Sequence, residues 1–322
     1  MLKRLLAAFG ICALAWLAGT PSPAPAAEPL KIVVAFAPGG GSDLIARVLG
    51  KSLSDSLGRP VVVENMPGAF GVVAGRHVAN AGANDHTLML GTTGTLPIPV
   101  AMGVNLPYDT LEDFAPITQV GLTPIVLVVN PSLPAKTFEE FASTLKASPP
   151  DSFFYGTWGV GSVGHFAGEL LKLRAHLAMT HVPYKGSGPL VSDLIAGHVK
   201  IGFLESSTAL PHVRSGQLRA LAVASPRRAP LLPDVPTFSE VGVKFDEAAW
   251  YGIVGSKSMP AAEVARLSAS LREALNSKEV KEKLLSMGVA PTATSPGEFG
   301  KILQNDVAVW SQVARAASIK AD

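Results

Sequence analysis

Cysteine is almost missing from this chain: Cys12 is the single one in 322 residues. It falls inside an apolar leader, away from any lipid-attachment context, and reads as a passenger. The rest of the chain therefore has no disulfide framework and no thiolate nucleophile. Charged residues are scarce as well, at 16%. No Ser stands in a Gly-x-Ser-x-Gly turn, so the nucleophile of an α/β-hydrolase is missing. The seven His are scattered, without a His-Glu-x-x-His or comparable cluster, which leaves a metal site unsupported. Beyond the leader no apolar run reaches the roughly 20 residues that a spanning helix needs. There is no internal repeat and no low-complexity tract.

What is present begins with an export signal. Lys3 and Arg4 precede an uncharged apolar stretch, Leu5 to Ala18, and Ala24-Pro25-Ala26 offers a cleavage site before Ala27-Glu28. That layout predicts a signal peptide over residues 1–26 and a periplasmic mature chain. The leader holds two of the 27 Lys+Arg and none of the 25 Asp+Glu, so the mature chain carries equal numbers of each sign. A neutral chain without basic runs gives no footing for nucleic acid or an anionic membrane surface.

The mature chain alternates strand and helix patterns. Leu30–Phe36 is a continuous, β-branched-rich apolar run that predicts a buried parallel strand. Pro38-Gly39-Gly40-Gly41 ends it, and Ser42 or Asp43 is placed to cap a helix whose apolar stripe runs through Leu44, Ile45, Val48, Leu49, Leu53 and Leu57. Strands follow at Val61–Val63 and Thr87–Leu90, with a helix over Gly71–Ala79 between them. A second series starts at Ile125–Val129, with helices over Phe138–Lys146, Ser162–Leu173 and Leu190–Ala196. Its strands are expected at Phe153–Tyr155, Thr180–Val182, Lys200–Leu204 and Leu218–Val223. Trp250–Val254 reads as a strand, and the C-terminus is helical over 261–275, 278–287 and 296–317. Such alternation implies two doubly wound α/β domains. The expected division is 27–125 with 251–322 as a discontinuous first domain and 126–250 as the second.

Three glycine-rich loops follow predicted strands, where α/β proteins bind ligands. In Ala37-Pro38-Gly39-Gly40-Gly41-Ser42-Asp43, glycines let N–H groups turn toward one point, and the helix start adds its positive dipole end. The same residues also suit a plain capped turn. In Gly91-Thr92-Thr93-Gly94-Thr95 the hydroxyls are either ligand donors or turn-formers. Gly156-Thr157-Trp158-Gly159-Val160-Gly161-Ser162-Val163-Gly164-His165 contains a Gly-x-Gly-x-x-Gly match. The acid that a dinucleotide site needs about 20 residues on is missing from Thr180–Gly186, so no cofactor is expected. The physical reading that survives is a second helix start able to hold an anion. His165 would sit in its first turn, as a site residue or as a packing one.

With these loops stand further ordered segments: Val61-Val62-Val63-Glu64-Asn65 with Pro67-Gly68, Leu106-Pro107-Tyr108-Asp109, Leu127-Val128-Val129-Asn130-Pro131, His181-Val182-Pro183-Tyr184-Lys185-Gly186, Pro233-Asp234-Val235-Pro236-Thr237 and Trp250-Tyr251-Gly252. Together they make the mature chain resemble the Bug family of periplasmic receptors, the extracytoplasmic component of tripartite tricarboxylate transporters. The resemblance implies a type II periplasmic-binding fold that closes on a small carboxylate, no catalysis, no cofactor, a monomer, and delivery to integral-membrane transporter subunits. It places Phe36, Pro38, Gly39, Gly40, Gly41, Ser42, Asp43, Thr92, Thr93 and Thr95 on one wall of the cleft. Thr157, Trp158, Gly161, Ser162, His165, Tyr184, Gly186, Ser187, Leu204 and Glu205 would form the other. The chain departs from the family pattern at Leu204-Glu205, where an Asp-Asn pair is common. It also departs in the 156–164 loop, which is poorer in hydroxyls and carries Trp158. Both departures point to a ligand with an apolar or aromatic body and one anionic end. A sensor that reports its ligand to a membrane kinase fits the same residues, and a periplasmic hydrolase or isomerase fits them less well for want of a nucleophile–base pair.

Overall fold

The structure is a computed structural model that describes residues 28–150, 152–245 and 247–321. The leader with Cys12 and its cleavage site lies outside the described residues.

Strand β1 (Leu30–Val34) leads through the glycine loop into α1 (Gly41–Leu57), β2 (Val61–Asn65), a 3₁₀ turn over Ala69–Gly71, α2 (Val72–Ala79), β3 (Thr87–Thr92) and α3 (Pro97–Ala101). Then come β4 (Phe114–Thr123), β5 (Ile125–Val129), α4 (Phe138–Lys146), β6 (Phe154–Thr157), α5 (Val163–Ala175), β7 (Thr180–Pro183), α6 (Ser187–Ala196), β8 (Ile201–Glu205), α7 (Ser206–Arg214) and β9 (Arg219–Ala224). The chain ends with β10 (Ala249–Ser256), α8 (Ala261–Asn276), α9 (Lys278–Ser286), β11 (Ala290–Pro291) and α10 (Pro296–Ala316).

Two sheets result. The first has the order β11-β4-β10-β3-β1-β2 and the second β7-β6-β8-β5-β9. In the first, β1, β2 and β3 are parallel while β10 runs antiparallel between β3 and β4. In the second, β6 is parallel to β7 and β8, and β5 is antiparallel to β8 and β9. The chain therefore passes between sheets at Pro124 and again before Ala249. The central strands are buried on both faces, which is why they read as unbroken apolar runs such as Ile125-Val126-Leu127-Val128-Val129, all buried.

Helix α1 shows how the sequence makes its layer. Ile45, Ala46, Leu49 and Leu53 are buried against the first sheet, and burial of one such large aliphatic side chain stabilises by about 1.5–3 kcal/mol. Leu44, expected in that stripe, is 44% exposed. The cap also differs from expectation. Gly40, in extended backbone, is the N-cap, and neither Ser42 nor Asp43 takes that place. Asp43 acts instead from inside the first turn, its carboxylate accepting the Gly39 N–H at 2.9 Å.

Strand β4 was not legible. Pro116, Gln119 and Gly121 interrupt its apolar pattern, and tertiary bonds replace what the pattern lacks. Thr118 Oγ1 donates to Thr294 O at 2.7 Å, and Gln119 N donates to Thr294 Oγ1 at 2.9 Å. Helix α7 was missed because Pro211 lies inside it, and α3 because it has only five residues.

Helix α10 ties the two units together. A capping box between Ser295 and Glu298 starts it. Phe299 and Leu303 then enter the first unit's core, while Trp310, Val313 and Ala314 enter the core of the second. There Trp310 meets Phe166 edge-on at 5.8 Å.

Candidate functional site

A cleft of about 650 Å³ opens where both sheets present the carboxyl ends of their parallel strands. This is where the turns of α/β units leave room for ligands. A larger groove of about 880 Å³ runs past Lys31, Arg76, His77 and Thr87. It lies by the starts of β1 and β3, away from every glycine loop, and has no such geometry.

The loop after β1 supplies Phe36, Gly40, Gly41 and Ser42 to the cleft. Its shape is set from behind by Asp43, which is buried. The Asp43 carboxylate accepts from Arg47 Nε at 2.9 Å, from Gly39 N at 2.9 Å and from Asn65 Nδ2 at 3.1 Å. Those donors, the Arg47 guanidinium first and the Gly39 N–H next, hold its pKa down at about 2. Asp43 is thus a permanent anion that braces the loop. The first-turn N–H groups of α1 have no intrahelical acceptors, and Gly41 and Ser42 of that turn line the cleft.

The loop after β3 brings Thr92, Thr93 and Thr95 to the lining. Their hydroxyls also hold the fold. Thr93 Oγ1 accepts from Trp250 N at 3.0 Å, and Thr95 Oγ1 accepts from Thr92 N at 2.9 Å. Thr95 thus closes the turn and Thr93 ties it to β10, while all three threonines stay in the lining.

From the second unit, Trp158, Gly161 and Ser162 line the cavity with Gly159, Val160 and Val163. Ser162 caps α5 by accepting His165 N at 3.2 Å. His165 itself turns inward: it is buried, Nδ1 accepts Gly161 N at 3.3 Å, and its ring stacks on His181 at 3.7 Å. Burial lowers the pKa of His165 to about 4 and that of His181 to about 3, so the stacked rings stay neutral. His165 shapes the loop from beneath it.

Several expected residues do not reach the lining. Thr157 is buried, its Oγ1 2.7 Å from His181 Nε2. Tyr184 donates to Asp193 Oδ2 at 2.8 Å, which turns it toward α6. Gly186 N donates to Trp158 O at 3.3 Å, bracing the tryptophan loop, and Ser187 begins α6. Pro38 and Gly39 are exposed and do not line the cleft. Leu204 is a correction with a simple cause: neighbours on a strand face opposite ways. Glu205 faces the cleft, and Leu204 therefore packs in the core with Val126 and Leu190.

Other lining residues escaped the reading. The Pro67–Gly71 loop contributes Phe70, 49% exposed and held at a φ of 55°. Backbone of that kind is unfavourable for an aromatic residue and marks a constrained position. Its signal was a lone aromatic residue between two glycines. Thr123, Ala249, Trp250 and Tyr251 come from β4 and β10, and only the pairing of those strands brings them to the cleft.

Two α/β units with crossing strands, and a cleft walled by glycine-rich helix starts, define a periplasmic solute-binding protein of type II fold. The chain belongs to the tripartite tricarboxylate transporter family receptors, whose profile matches residues 45–319. Protein BugT of Bordetella pertussis is 37% identical over 99% of each chain. The malate-bound MatC of Rhodopseudomonas palustris is 32% identical with a TM-score of 0.71, over 88% of this chain and 98% of that one. An adipate-bound R. palustris protein is 31% identical with a TM-score of 0.74, over 91% and 98%. Proteins of this family are periplasmic receptors rather than enzymes, and this chain is a receptor of that kind.

Proposed function

We propose that this receptor captures a small carboxylate with an apolar or aromatic body and passes it to integral-membrane transporter subunits. One observation carries the reading: the starts of α1 and α5, one from each unit, meet at a single cavity whose lining also presents exposed apolar side chains. Phe36, Phe70 and Val160 there are each more than 40% exposed. The N–H donors suit a carboxylate, and the rings and aliphatic groups suit the rest of the molecule. Malate and adipate bound to relatives of similar length support the chemical class. Capture proceeds by closure of 27–125 with 251–322 against 126–250, hinged where the chain crosses between sheets. Export follows cleavage after Ala26, and the receptor acts as a monomer.

The deciding experiment is a thermal-shift screen of residues 27–322 against aliphatic and aromatic carboxylates, since a ligand of the native state raises the melting temperature. Stabilisation by aromatic or long-chain acids supports the reading. Stabilisation by short, fully polar dicarboxylates alone removes the apolar-body claim. The mass of the protein recovered from the periplasm tests the cleavage site.

A further inference from the structure

Phe70 sits on a strained backbone whose strain nothing within its own unit offsets. Four residues in a row, Gly68, Ala69, Phe70 and Gly71, have positive φ, at 137°, 43°, 55° and 88°. Glycine takes such values freely, but alanine and phenylalanine each carry a Cβ that crowds the backbone there. Both ends of the turn are fixed. Met66 N donates to Val34 O at 2.8 Å before it, and Gly71 N donates back to Gly68 O at 2.9 Å. Gly71 is buried, and a Cβ on it would stand 2.8 Å from Thr95 Cβ. The strain is therefore imposed by the surroundings of the turn. Packing does not repay it: the Phe70 ring is 49% exposed and joins none of the four apolar clusters.

What the turn does is bring the ring to the boundary between the units. Phe70 Cε1 lies 3.9 Å from the place that a Cβ on Gly161 would take, an ordinary contact distance. Gly161 belongs to the tryptophan loop of the second unit, and its neighbour Val160 lines the same cavity while 46% exposed. That loop is fastened to its own unit, since Gly161 N donates to His165 Nδ1 at 3.3 Å. A ring held rigidly against a braced loop of the opposite unit must be pulled away before the cleft can open. We infer that Phe70 is a closure latch: its ring seats on Val160 and Gly161 and holds the ligand-free receptor toward its closed form, aimed there by the left-handed turn. The inference rests on the closure of the two units proposed above and is independent of the class of ligand.

The test needs no ligand. Cys12 of the leader is the single cysteine, so a pair introduced into residues 27–322 takes spin labels without background. Labels at Lys51→Cys on α1 and Ser192→Cys on α6, both exposed, report the distance between the units by double electron–electron resonance. In Phe70→Ala the population at the closed distance should fall about fivefold. Amide exchange at Gly161, in the opposite unit, should quicken with it, which a role confined to the first unit would not cause. Phe70→Gly should open the receptor to the same extent yet melt about 2 °C above Phe70→Ala, because glycine is unstrained in that turn. An unchanged distance distribution in Phe70→Ala overturns the latch; a broad one leaves closure standing, and a single narrow one removes closure of the free receptor as well. A Phe70→Gly chain that melts no higher than Phe70→Ala shows the turn relaxed in solution and also overturns it. Val160→Ala, from the other wall, should lower the closed population in the same way and decides the matter if the Phe70 variants do not fold.

Discussion

Gly161 and Met102 meet where the two units touch: a Cβ on Gly161 would stand 2.6 Å from Met102 Sδ, with φ at 71°. Met102 follows α3 of the first unit, and Gly161 belongs to the tryptophan loop of the second. The units leave no room for a methyl group at this point, and the left-handed backbone favours glycine independently.

Gly161→Ala should weaken ligand binding by about tenfold, combining backbone strain of roughly 1–2 kcal/mol with displacement of the methionine. Met102→Ala in the same chain should restore the steric part and leave the strain. Calorimetry on the double-mutant cycle separates the two. An additive cycle would show that the walls do not meet there in solution.

Asp43→Asn removes the negative charge and one of the two acceptor oxygens that serve the Arg47 guanidinium and the Gly39 N–H. Loss of such a helix-start bond costs roughly 1 kcal/mol, and the loosened loop should bind ligand several-fold more weakly. The Asp43 pKa is lowered to about 2 from an ordinary 3.8. Its contribution to stability is therefore present above about pH 4 and lost as pH falls through about 2. Melting curves across that range should converge for the two proteins at the acid end.

Gly40→Val tests the first loop without breaking it. Gly40 has extended backbone, and a Cβ there meets only Ala37 O at 3.6 Å. The fold should survive with an unchanged far-ultraviolet spectrum, while the branched side chain at the cleft wall abolishes binding. Full affinity would take this loop out of the site.

Asp306 accepts the indole N–H of Trp250 at 2.6 Å, and burial raises its pKa to about 7. A carboxyl that keeps its proton longer in the folded chain stabilises most below its ordinary pKa. Its contribution then declines as pH climbs toward the raised value. Asp306→Asn keeps an acceptor for Trp250 and should flatten that decline. The variant should melt with the parent near pH 4 and above it at pH 8. An unchanged slope would assign the titration to another group.

Local chemistry in the sequence determined the α/β alternation, the two series of strands and the three glycine loops. A buried parallel strand must be apolar throughout, a helix start needs its N–H groups free, and glycine alone turns so tightly beside a ligand. Which face each residue shows was decided by tertiary structure. Leu204 and Glu205 are adjacent, yet strand alternation and the placement of β5 send one into the core and the other into the cleft. Tyr251 and Thr123 enter the site because β10 and β4 pair across more than a hundred residues of chain. Phe70 does so because its loop is held in a conformation that no local preference favours. His165 and Thr157, chosen for their polarity, are claimed by each other's neighbourhood through His181. Long-range pairing fixes these outcomes, and nothing in the local order of residues encodes it.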